Sequence, residues 1–249
     1  MTITKPVLYA ASVAPLADAE HYAAAYAAVS PARQEKVDRF RFEKDKRLSL
    51  GAELLLRHAL HCEGLGEIPI LFDYGAQGKP RLKDCSVYFN LSHSGEYVVC
   101  ALAPYEVGCD VEQVTPIDLN IARRFFFRSE YDDIAAQTTQ RARNELFFRC
   151  WTLKESFMKV TGLGMKLPLD AFEIVRGAEI TVRQSVDTRQ YSFAELDELS
   201  GYRGALCTAG DCRGAVLHKV DLAEILLPRY YIELATGLRR GEQRKTYPH

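Results

Sequence analysis

The hydrophobic and polar positions along the chain follow two periods, one typical of strands and one typical of helices. Residues 7–13 form a short apolar run that predicts a first strand, and the Ala-rich stretch 21–29 predicts a helix. Ser30 followed by Pro31 is typical of a helix N-terminus, because Ser is a good N-cap and Pro suits the first helical position. An apolar stripe at helical spacing over residues 45–61 predicts a longer helix.

The next segment predicts three strands and then two helical stretches. The strands are expected at residues 87–91, 97–103 and 107–112, the last two joined as a hairpin through Pro104-Tyr105-Glu106. Helices are expected over residues 121–136 and from about residue 144 to residue 160, where Gly162 ends the second one. Beyond Pro168 short strands are predicted at 172–175, 179–182, 191–193, 204–208 and 215–219.

The pattern of the first half echoes that of the second. Each long predicted helix carries a glutamate with a base four residues later, Glu53 with Arg57 and Glu155 with Lys159. Further matches are Arg39-Phe40 with Arg124-Phe125, and Tyr97 to Cys100 with Tyr202 to Cys207. These matches predict an α+β fold built from a duplicated unit.

The predicted halves are residues 1–112 and 113–225, and the active site is expected at the seam between them, where clefts commonly form. Residues 226–249 end in the basic segment LRRGEQRKTYPH and are predicted to be a flexible C-terminal extension.

Composition narrows the class of protein. The chain has 249 residues, 47% of them hydrophobic and 26% charged, which is ordinary for a globular protein. A net charge of −1 argues against a general nucleic-acid binder. No run reaches the roughly 18 apolar residues that a membrane span needs. Seven cysteines without a CxxC pair, and an N-terminus interrupted by Pro6 and Pro15, predict a reducing, cytoplasmic location.

Candidate chemistry begins at Gly108-Cys-Asp110-Val-Glu112. Residues i and i+2 of a strand point to the same face, so Asp110 and Glu112 are expected to project together. Two adjacent carboxylates are unfavourable unless a cation lies between them, and Mg²⁺ prefers such oxygen ligands. A D-x-E pair taken alone is also compatible with a solvated strand end.

The second candidate lies in the long predicted helix that starts near residue 144. Glu155 and Lys159 are one turn apart and share a face, which alone would describe a surface ion pair. The surrounding residues are mostly apolar, so Lys154 and Glu155 are predicted to lie in a largely buried helix. Charges in such a place are costly unless they have a purpose.

A third set of residues could bind phosphate. Ser92 and His93 lie in Asn90-Leu-Ser-His-Ser94, which is expected at a strand–loop junction, and Lys79 precedes Pro80 in a tight loop. Arg33, Lys36 and Arg47 lie on the two predicted N-terminal helices. Such groups can grip a polyanion through charge-assisted hydrogen bonds. Singly, each would equally suit a turn or a solvated surface.

The order and spacing of these motifs closely resemble those of surfactin-type 4′-phosphopantetheinyl transferases. The resemblance covers residues 30–225 approximately and rests on Ser30-Pro31-x-Arg33-x-x-Lys36, Gly78-Lys79-Pro80, Asn90-x-Ser92-His93-Ser94, Gly108-x-Asp110-x-Glu112 and Trp151-x-x-Lys154-Glu155-x-x-x-Lys159-x-x-Gly162. It implies the pseudo-dimeric 4′-phosphopantetheinyl transferase fold. It also implies an enzyme that moves the phosphopantetheine arm of coenzyme A onto a serine of an apo acyl or peptidyl carrier protein and releases 3′,5′-ADP.

The resemblance further implies roles for individual residues. Asp110, Glu112 and Glu155 would ligate Mg²⁺, with Mn²⁺ as a substitute, and the catalytic set would be Asp110, Glu155 and Lys159. Coenzyme A would be bound by Arg33, Lys36, Arg47, Lys79, Pro80, Ser92, His93 and Lys159. Arg33 stands where relatives often have Lys, and the alignment at Arg47 needs a gap.

Glu155, directly or through a metal-bound water, is the expected base for the serine proton. The acidic carrier is expected to approach a basic surface formed by Arg39, Arg41, Arg123, Arg124 and Arg128. The enzyme is expected to be a monomer that binds neither nucleic acid nor membrane. Two alternatives stay open from sequence: a catalytically inactive carrier-binding module, and a metal-dependent nucleotide pyrophosphatase.

Overall fold

The structure is a computed structural model that describes residues 3–66, 70–75 and 77–226. The predicted C-terminal extension, residues 226–249, lies outside the described residues except for Leu226. The helices are Ala19–Ala28 (α1), Pro31–Asp38 (α2), Glu43–Cys62 (α3), Leu119–Phe125 (α4), Arg128–Ala135 (α5), Gln140–Thr161 (α6) and Leu222–Ile225 (α7). The strands are Val7–Ser12 (β1), Phe72–Tyr74 (β2), Pro80–Leu82 (β3), Tyr88–Ser94 (β4), Tyr97–Ala103 (β5), Val107–Gln113 (β6), Glu173–Arg176 (β7), Ile180–Arg183 (β8), Ser192–Leu196 (β9), Tyr202–Thr208 (β10) and Val216–Val220 (β11).

Two sheets organise the described chain. One has the strand order β11-β1-β5-β4, and the other has the order β6-β10-β9. The pairs β2-β3 and β7-β8 form two small additional sheets. β1 is antiparallel to β5 and parallel to β11, so a strand from late in the chain completes the sheet that begins at the N-terminal end. This mixture of helices and strands confirms the α+β prediction.

Each larger sheet is covered by one long helix. α3 buries a stripe that includes Leu50, Leu54 and Leu55 against β1 and β5, because these residues recur at helical spacing. α6 packs on β6 and β10 and buries Leu153 and Phe157. The predicted long helix from about residue 144 therefore exists and starts four residues earlier, at Gln140, directly after the N-cap Thr139.

The seam between the two sheets is marked by two equivalent tyrosines. Tyr97 of β5 and Tyr202 of β10, which the sequence pairs as matching positions, meet edge to face with ring centroids 4.9 Å apart. The sequence match therefore corresponds to direct contact across the seam.

Several boundaries differ from the predictions. The helix expected at residues 121–136 is two helices, α4 and α5, because Phe126 and Phe127 adopt extended backbone angles between them. β4 does not end before the Ser92-His93 motif but continues to Ser94, so the motif lies in a strand and not at a strand–loop junction.

The division at residue 112 stays a prediction, and two strands bear on it. β6 pairs with β10 of the second sheet although residues 107–112 were placed in the first half. β11, placed in the second half, pairs with β1 of the first sheet. The halves therefore exchange strands and are not two independent blocks.

Candidate active site

β6 and α6 approach so closely at Gly108 that side chains from both elements form one site. We call the site of Asp110, Glu112, Glu155 and Lys159 the cleft. A Cβ at this glycine would lie 2.1 Å from the Ser156 carbonyl oxygen and 2.5 Å from the Val160 backbone nitrogen. Only glycine therefore lets the α6 backbone rest on β6. The contact brings Asp110 from β6 next to Lys159 from α6.

Asp110 lies at the centre of the cleft and is 3% exposed. Its Oδ1 accepts hydrogen bonds from Lys159 Nζ at 2.6 Å and from Ser92 Oγ at 2.8 Å. Its Oδ2 is buried and has no hydrogen-bond partner within the part of the chain that the structure describes. A buried carboxylate oxygen without a donor is costly, so this atom is well placed to bind a ligand.

Glu112 and Glu155 line the same cleft and are half-buried. Burial raises the pKa of Glu112, and the nearby carboxylates of Asp110 and Glu155 raise it further, against the opposing hydrogen bond from Ser94. Burial and Asp110 likewise raise the pKa of Glu155, although Lys159 opposes the shift. The three acidic side chains predicted to act together therefore do influence one another electrostatically.

Lys159 has all of its ammonium protons directed at protein acceptors. Besides Asp110, Nζ donates to Ser92 Oγ at 3.0 Å and to the Cys109 carbonyl oxygen at 3.1 Å. Burial by itself lowers the pKa of Lys159, but the Asp110 carboxylate outweighs it and the pKa is raised. Lys159 is therefore a fixed cation next to the unpartnered carboxylate oxygen.

His93 lies on the opposite face of β4 from Ser92 and is exposed. Desolvation lowers its pKa, and the neighbouring cations Lys159 and Lys36 lower it further. Lys36 is exposed on α2, and burial of part of its side chain together with Arg33 lowers its pKa. His93 therefore lies within electrostatic range of both Lys36 and Lys159.

The remaining predicted phosphate ligands either bond to other protein groups or have no side-chain partner among the described residues. Arg33 donates from Nε to Glu53 at 3.1 Å and from an Nη to Ser49 Oγ at 3.2 Å. Ser92 gives its proton to Asp110 and accepts from both Lys159 and the Val111 N–H. Arg47 is half-buried on α3 and has no hydrogen bond or ion pair with the described residues.

Lys79 also has partners that the sequence did not predict. Its Nζ donates to Glu106 at 2.9 Å, to the Val107 carbonyl oxygen at 2.9 Å and to the Val160 carbonyl oxygen at 3.3 Å. It thus ties the start of β3, at Pro80, to the start of β6 and the end of α6. Its assignment to coenzyme A stays a prediction that requires Lys79 to leave these acceptors.

Sequence reasoning missed the reason for a charge at Lys154. This fully buried residue pairs with the buried Glu130 of α5 at 2.9 Å and donates to the carbonyl oxygens of Leu169 and Phe172. Glu130 in turn accepts from the backbone N–H groups of Phe127 and Ile174. Lys154 is therefore structural: it ties α6 to α5 and to the segment before β7, and only Glu155 and Lys159 face the cleft.

The described residues contain no group of three or more His, Cys, Asp or Glu side chains arranged to hold a metal ion. None of the helices within residues 3–66, 70–75 and 77–226 has the length and apolarity needed to cross a bilayer.

Two family models match consecutive parts of the chain. The family model described as 4′-phosphopantetheinyl transferase, N-terminal, matches residues 16–105, and that of the 4′-phosphopantetheinyl transferase superfamily matches residues 106–207. The two models meet immediately before β6. Together they cover both long helices and leave out β1 and β11 of the first sheet.

Relatives match over long stretches of sequence. The 4′-phosphopantetheinyl transferase Sfp of Bacillus subtilis (strain 168) is 33% identical over 186 residues, which cover 73% of this chain and 82% of Sfp. The transferase gsp of Aneurinibacillus migulanus is 34% identical over 182 residues, covering 72% and 76%. The transferase psf-1 of Bacillus pumilus is 42% identical over 146 residues, covering 58% and 62%. This chain belongs to the 4′-phosphopantetheinyl transferases and is of the Sfp type.

Proposed function

We propose that this enzyme transfers the 4′-phosphopantetheine group of coenzyme A to a serine of an apo carrier protein and releases 3′,5′-ADP. The observation that supports this most directly is the cleft between β6 and α6, where a buried Asp110 oxygen without a donor lies beside Lys159. Family membership supports the reaction type, since the relatives are named 4′-phosphopantetheinyl transferases.

The chemistry of the cleft residues fits a divalent cation, although no three of their side chains converge as a ready ligand set within the described residues. Asp110 Oδ2 is buried without a donor, and burial and mutual repulsion raise the pKa values of Glu112 and Glu155, a cost that a cation would relieve. All three groups are hard oxygen donors, the type that Mg²⁺ prefers over nitrogen or sulfur. Asp110, Glu112 and Glu155 would hold Mg²⁺, or Mn²⁺ in its place. The bound metal would neutralise the charge of the pyrophosphate of coenzyme A.

Glu155 is the residue best suited to take the proton of the carrier serine. It has no side-chain hydrogen bond or ion pair with the described residues, so its carboxylate is available to a substrate hydroxyl. Its raised pKa makes it a stronger base than an ordinary glutamate. The serine oxygen then attacks the β-phosphorus of coenzyme A, and the bond from that phosphorus to the leaving 3′,5′-ADP breaks.

Lys159 stabilises the negative charge that develops on the transferred phosphoryl group, because it is a fixed cation beside the carboxylates. Lys36 and His93 lie on the α2 side of β4 and are exposed, so they can reach the 3′-phosphate of the adenosine. Arg47 would join them from α3. The other predicted ligands of coenzyme A would support the site without contacting it; they are Arg33, Ser92, Lys79 and Pro80. Direct contact with coenzyme A would require Arg33, Ser92 and Lys79 to leave their present partners.

The carrier protein would approach the basic surface formed by Arg39, Arg41, Arg123, Arg124 and Arg128, all of which are exposed. Ile121, Phe125 and Phe127 lie among the last three arginines and are also exposed, which gives the surface an apolar centre. An acidic helical carrier matches this surface in charge. The enzyme would act as a monomer, since both sheets that form the cleft belong to one chain.

Mass spectrometry of apo acyl and peptidyl carriers incubated with coenzyme A and Mg²⁺ tests the proposal. The expected result is a gain of one phosphopantetheine per carrier, with one 3′,5′-ADP released. Release of 3′,5′-ADP from coenzyme A without any carrier would instead indicate a nucleotide pyrophosphatase. Carrier binding without either product would indicate an inactive carrier-binding module.

A further inference from the structure

β4 and β6 belong to different sheets, yet side chains of one strand bond to the backbone of the other. Asn90 Oδ1 accepts from the Cys109 N–H at 2.8 Å, Ser92 Oγ accepts from the Val111 N–H at 3.3 Å, and Ser94 Oγ accepts from the Gln113 N–H at 3.1 Å. Alternate residues of β4 thus meet alternate N–H groups of β6. We call this set of three contacts the side-chain ladder.

The ladder closes the seam where no backbone pairing exists. Alternate N–H groups of a strand point to the same edge, so the three donors face away from β10 and would be left unpaired without β4. The hairpin between β4 and β5 is fixed to the second sheet as well. Tyr202 accepts from the Glu96 N–H at 3.1 Å, and Gly95 leaves room for the tyrosine hydroxyl.

The two serines of the ladder also donate hydrogen bonds to carboxylates, whereas Asn90 does not. Ser92 donates its proton to Asp110 at 2.8 Å, and Ser94 donates its proton to Glu112 Oε2 at 2.6 Å. A hydroxyl has one proton and two acceptor sites, so a backbone N–H on the acceptor side helps to direct the proton towards the carboxylate. Each serine therefore fixes the orientation of one acidic side chain of β6.

The two carboxylates depend on their serines to different degrees. Asp110 Oδ1 is also held by Lys159, at 2.6 Å. Glu112 has no other side-chain donor among the described residues, and Ser94 alone orients it. Loss of Ser94 therefore frees Glu112, whereas loss of Ser92 leaves Asp110 with its lysine.

We propose that Ser94 is a positioning residue that holds the Glu112 carboxylate ready for the metal while it fastens β6 to β4. This inference rests on the proposed function, in which Glu112 is a metal ligand. Groups behind a metal ligand orient it, and their removal typically lowers metal affinity about 10-fold to 100-fold. Ser94 acts through Glu112 and does not itself contact substrate.

The test is a Mn²⁺ titration by electron paramagnetic resonance in the presence of coenzyme A and without carrier. Ser94→Ala is expected to raise the Mn²⁺ dissociation constant at least about 10-fold. Ser94→Thr keeps the hydroxyl and is expected to restore wild-type affinity. Asn90→Ala is the matched control: it removes a contact of the ladder that touches no carboxylate, so it lowers Tm and leaves the dissociation constant unchanged.

Wild-type Mn²⁺ affinity in Ser94→Ala would overturn the inference, as would an equal loss of affinity in Asn90→Ala. If Ser94→Ala does not fold, Ser94→Cys keeps the size but donates weakly, and it too must lose affinity. Measurements on the wild-type enzyme distinguish a failure of the positioning role from a failure of the proposed function. If the wild type loads carriers but Ser94→Ala binds Mn²⁺ normally, only the positioning role is contradicted. A wild type that neither binds Mn²⁺ nor loads carriers contradicts the proposed function as well.

Discussion

Glu53 on α3 and Glu155 on α6 occupy matching positions in the two halves, each with a base one turn further along, yet their surroundings differ. Glu53 is 1% exposed and accepts hydrogen bonds from Ser30, Arg33 and Arg57. These bonds outweigh the effect of burial and lower its pKa. Glu155 has no such donors among the described residues, and burial raises its pKa.

The difference shows how two similar halves can use matching residues for different roles, one structural and one chemical. In the first half the hydrogen bonds of Glu53 with Ser30 and Arg33 hold α2 against α3. In the second half Lys159 turns to Asp110 instead of satisfying Glu155, which leaves an acidic side chain available for chemistry. Spacing in the sequence is the same in both helices, and the donors supplied by the neighbouring element decide the role.

The largest effect is expected at Asp110, which has a buried oxygen without a donor among the described residues. Asp110→Ala should lower the rate of carrier loading by about 10³-fold, because it removes the group that links the metal to Lys159. Excess EDTA should do the same to the wild type. Loading measured by mass spectrometry checks both, with the exposed Asp211→Ala as the control that should stay active. Full activity in EDTA would contradict the assignment of Asp110, Glu112 and Glu155 to a metal.

The direct comparison is Glu155→Gln against Glu53→Gln. Glu155→Gln removes charge and basicity, so kcat should fall about 100-fold while the affinity for coenzyme A changes little. Glu53→Gln should instead lower the free energy of unfolding by about 2 kcal/mol, because charged hydrogen bonds to two arginines are weakened. Steady-state kinetics and thermal unfolding measure kcat and the free energy of unfolding for both variants. Near-normal turnover of Glu155→Gln would place the base elsewhere.

Smaller effects are expected at His93 and Lys79. His93 is exposed, whereas Lys79 is hydrogen-bonded within the protein. His93→Ala should weaken coenzyme A binding about 10-fold, which corresponds to one charge-assisted hydrogen bond, and should affect 3′-dephospho-coenzyme A less. Lys79→Ala should mainly lower Tm, because its three acceptors are in the protein. Calorimetric titration with both ligands checks this. Equal losses for the two ligands in His93→Ala would show that His93 does not contact the 3′-phosphate.

The smallest effect concerns stability against pH. The folded pKa of Glu155 lies above the ordinary 4.5, so its contribution to stability falls as pH rises past that value. Glu155→Gln should therefore gain Tm relative to wild type, by a few degrees, between acid and neutral pH. The folded pKa of Glu53 lies below 4.5, so its contribution is present above that value and is lost in acid.

The deficit of Glu53→Gln should accordingly be largest near neutral pH and should shrink as the pH falls through the lowered pKa. Thermal unfolding across this range checks both signs. Parallel Tm curves for the two variants would mean that the halves treat their glutamates alike.

Much of this arrangement follows from local sequence. The periodicity identified α3 and α6, Ser30-Pro31 gave the start of α2, and the spacing of Asp110 and Glu112 placed both on β6. Cys100 and Cys207 lie in apolar runs of the sequence, where a free cysteine behaves as a small hydrophobic residue, and both are buried.

Features that depend on distant partners were not predictable in this way. Glu130 meets Lys154 only because α5 folds onto α6, and no local pattern links the two residues. Ser92 was assigned to phosphate on its chemistry, whereas the fold turns its hydroxyl towards Asp110. Similarly, Lys79 has the right charge for a phosphate but lies against two backbone carbonyl groups. Which acceptor a side chain reaches is set by packing between elements, not by residue type.

The parallel pairing of β11 with β1 has a consequence for biosynthesis. During translation β1, α3, β4 and β5 emerge from the ribosome early, but the edge of β1 that β11 will cover stays unpaired until nearly all of the described chain has been made. Contacts of such large sequence separation slow folding, and an open strand edge on a nascent chain invites pairing with other chains. The last strand of the described residues therefore protects the first one, and the N-terminal sheet is completed only after β11 has been synthesised.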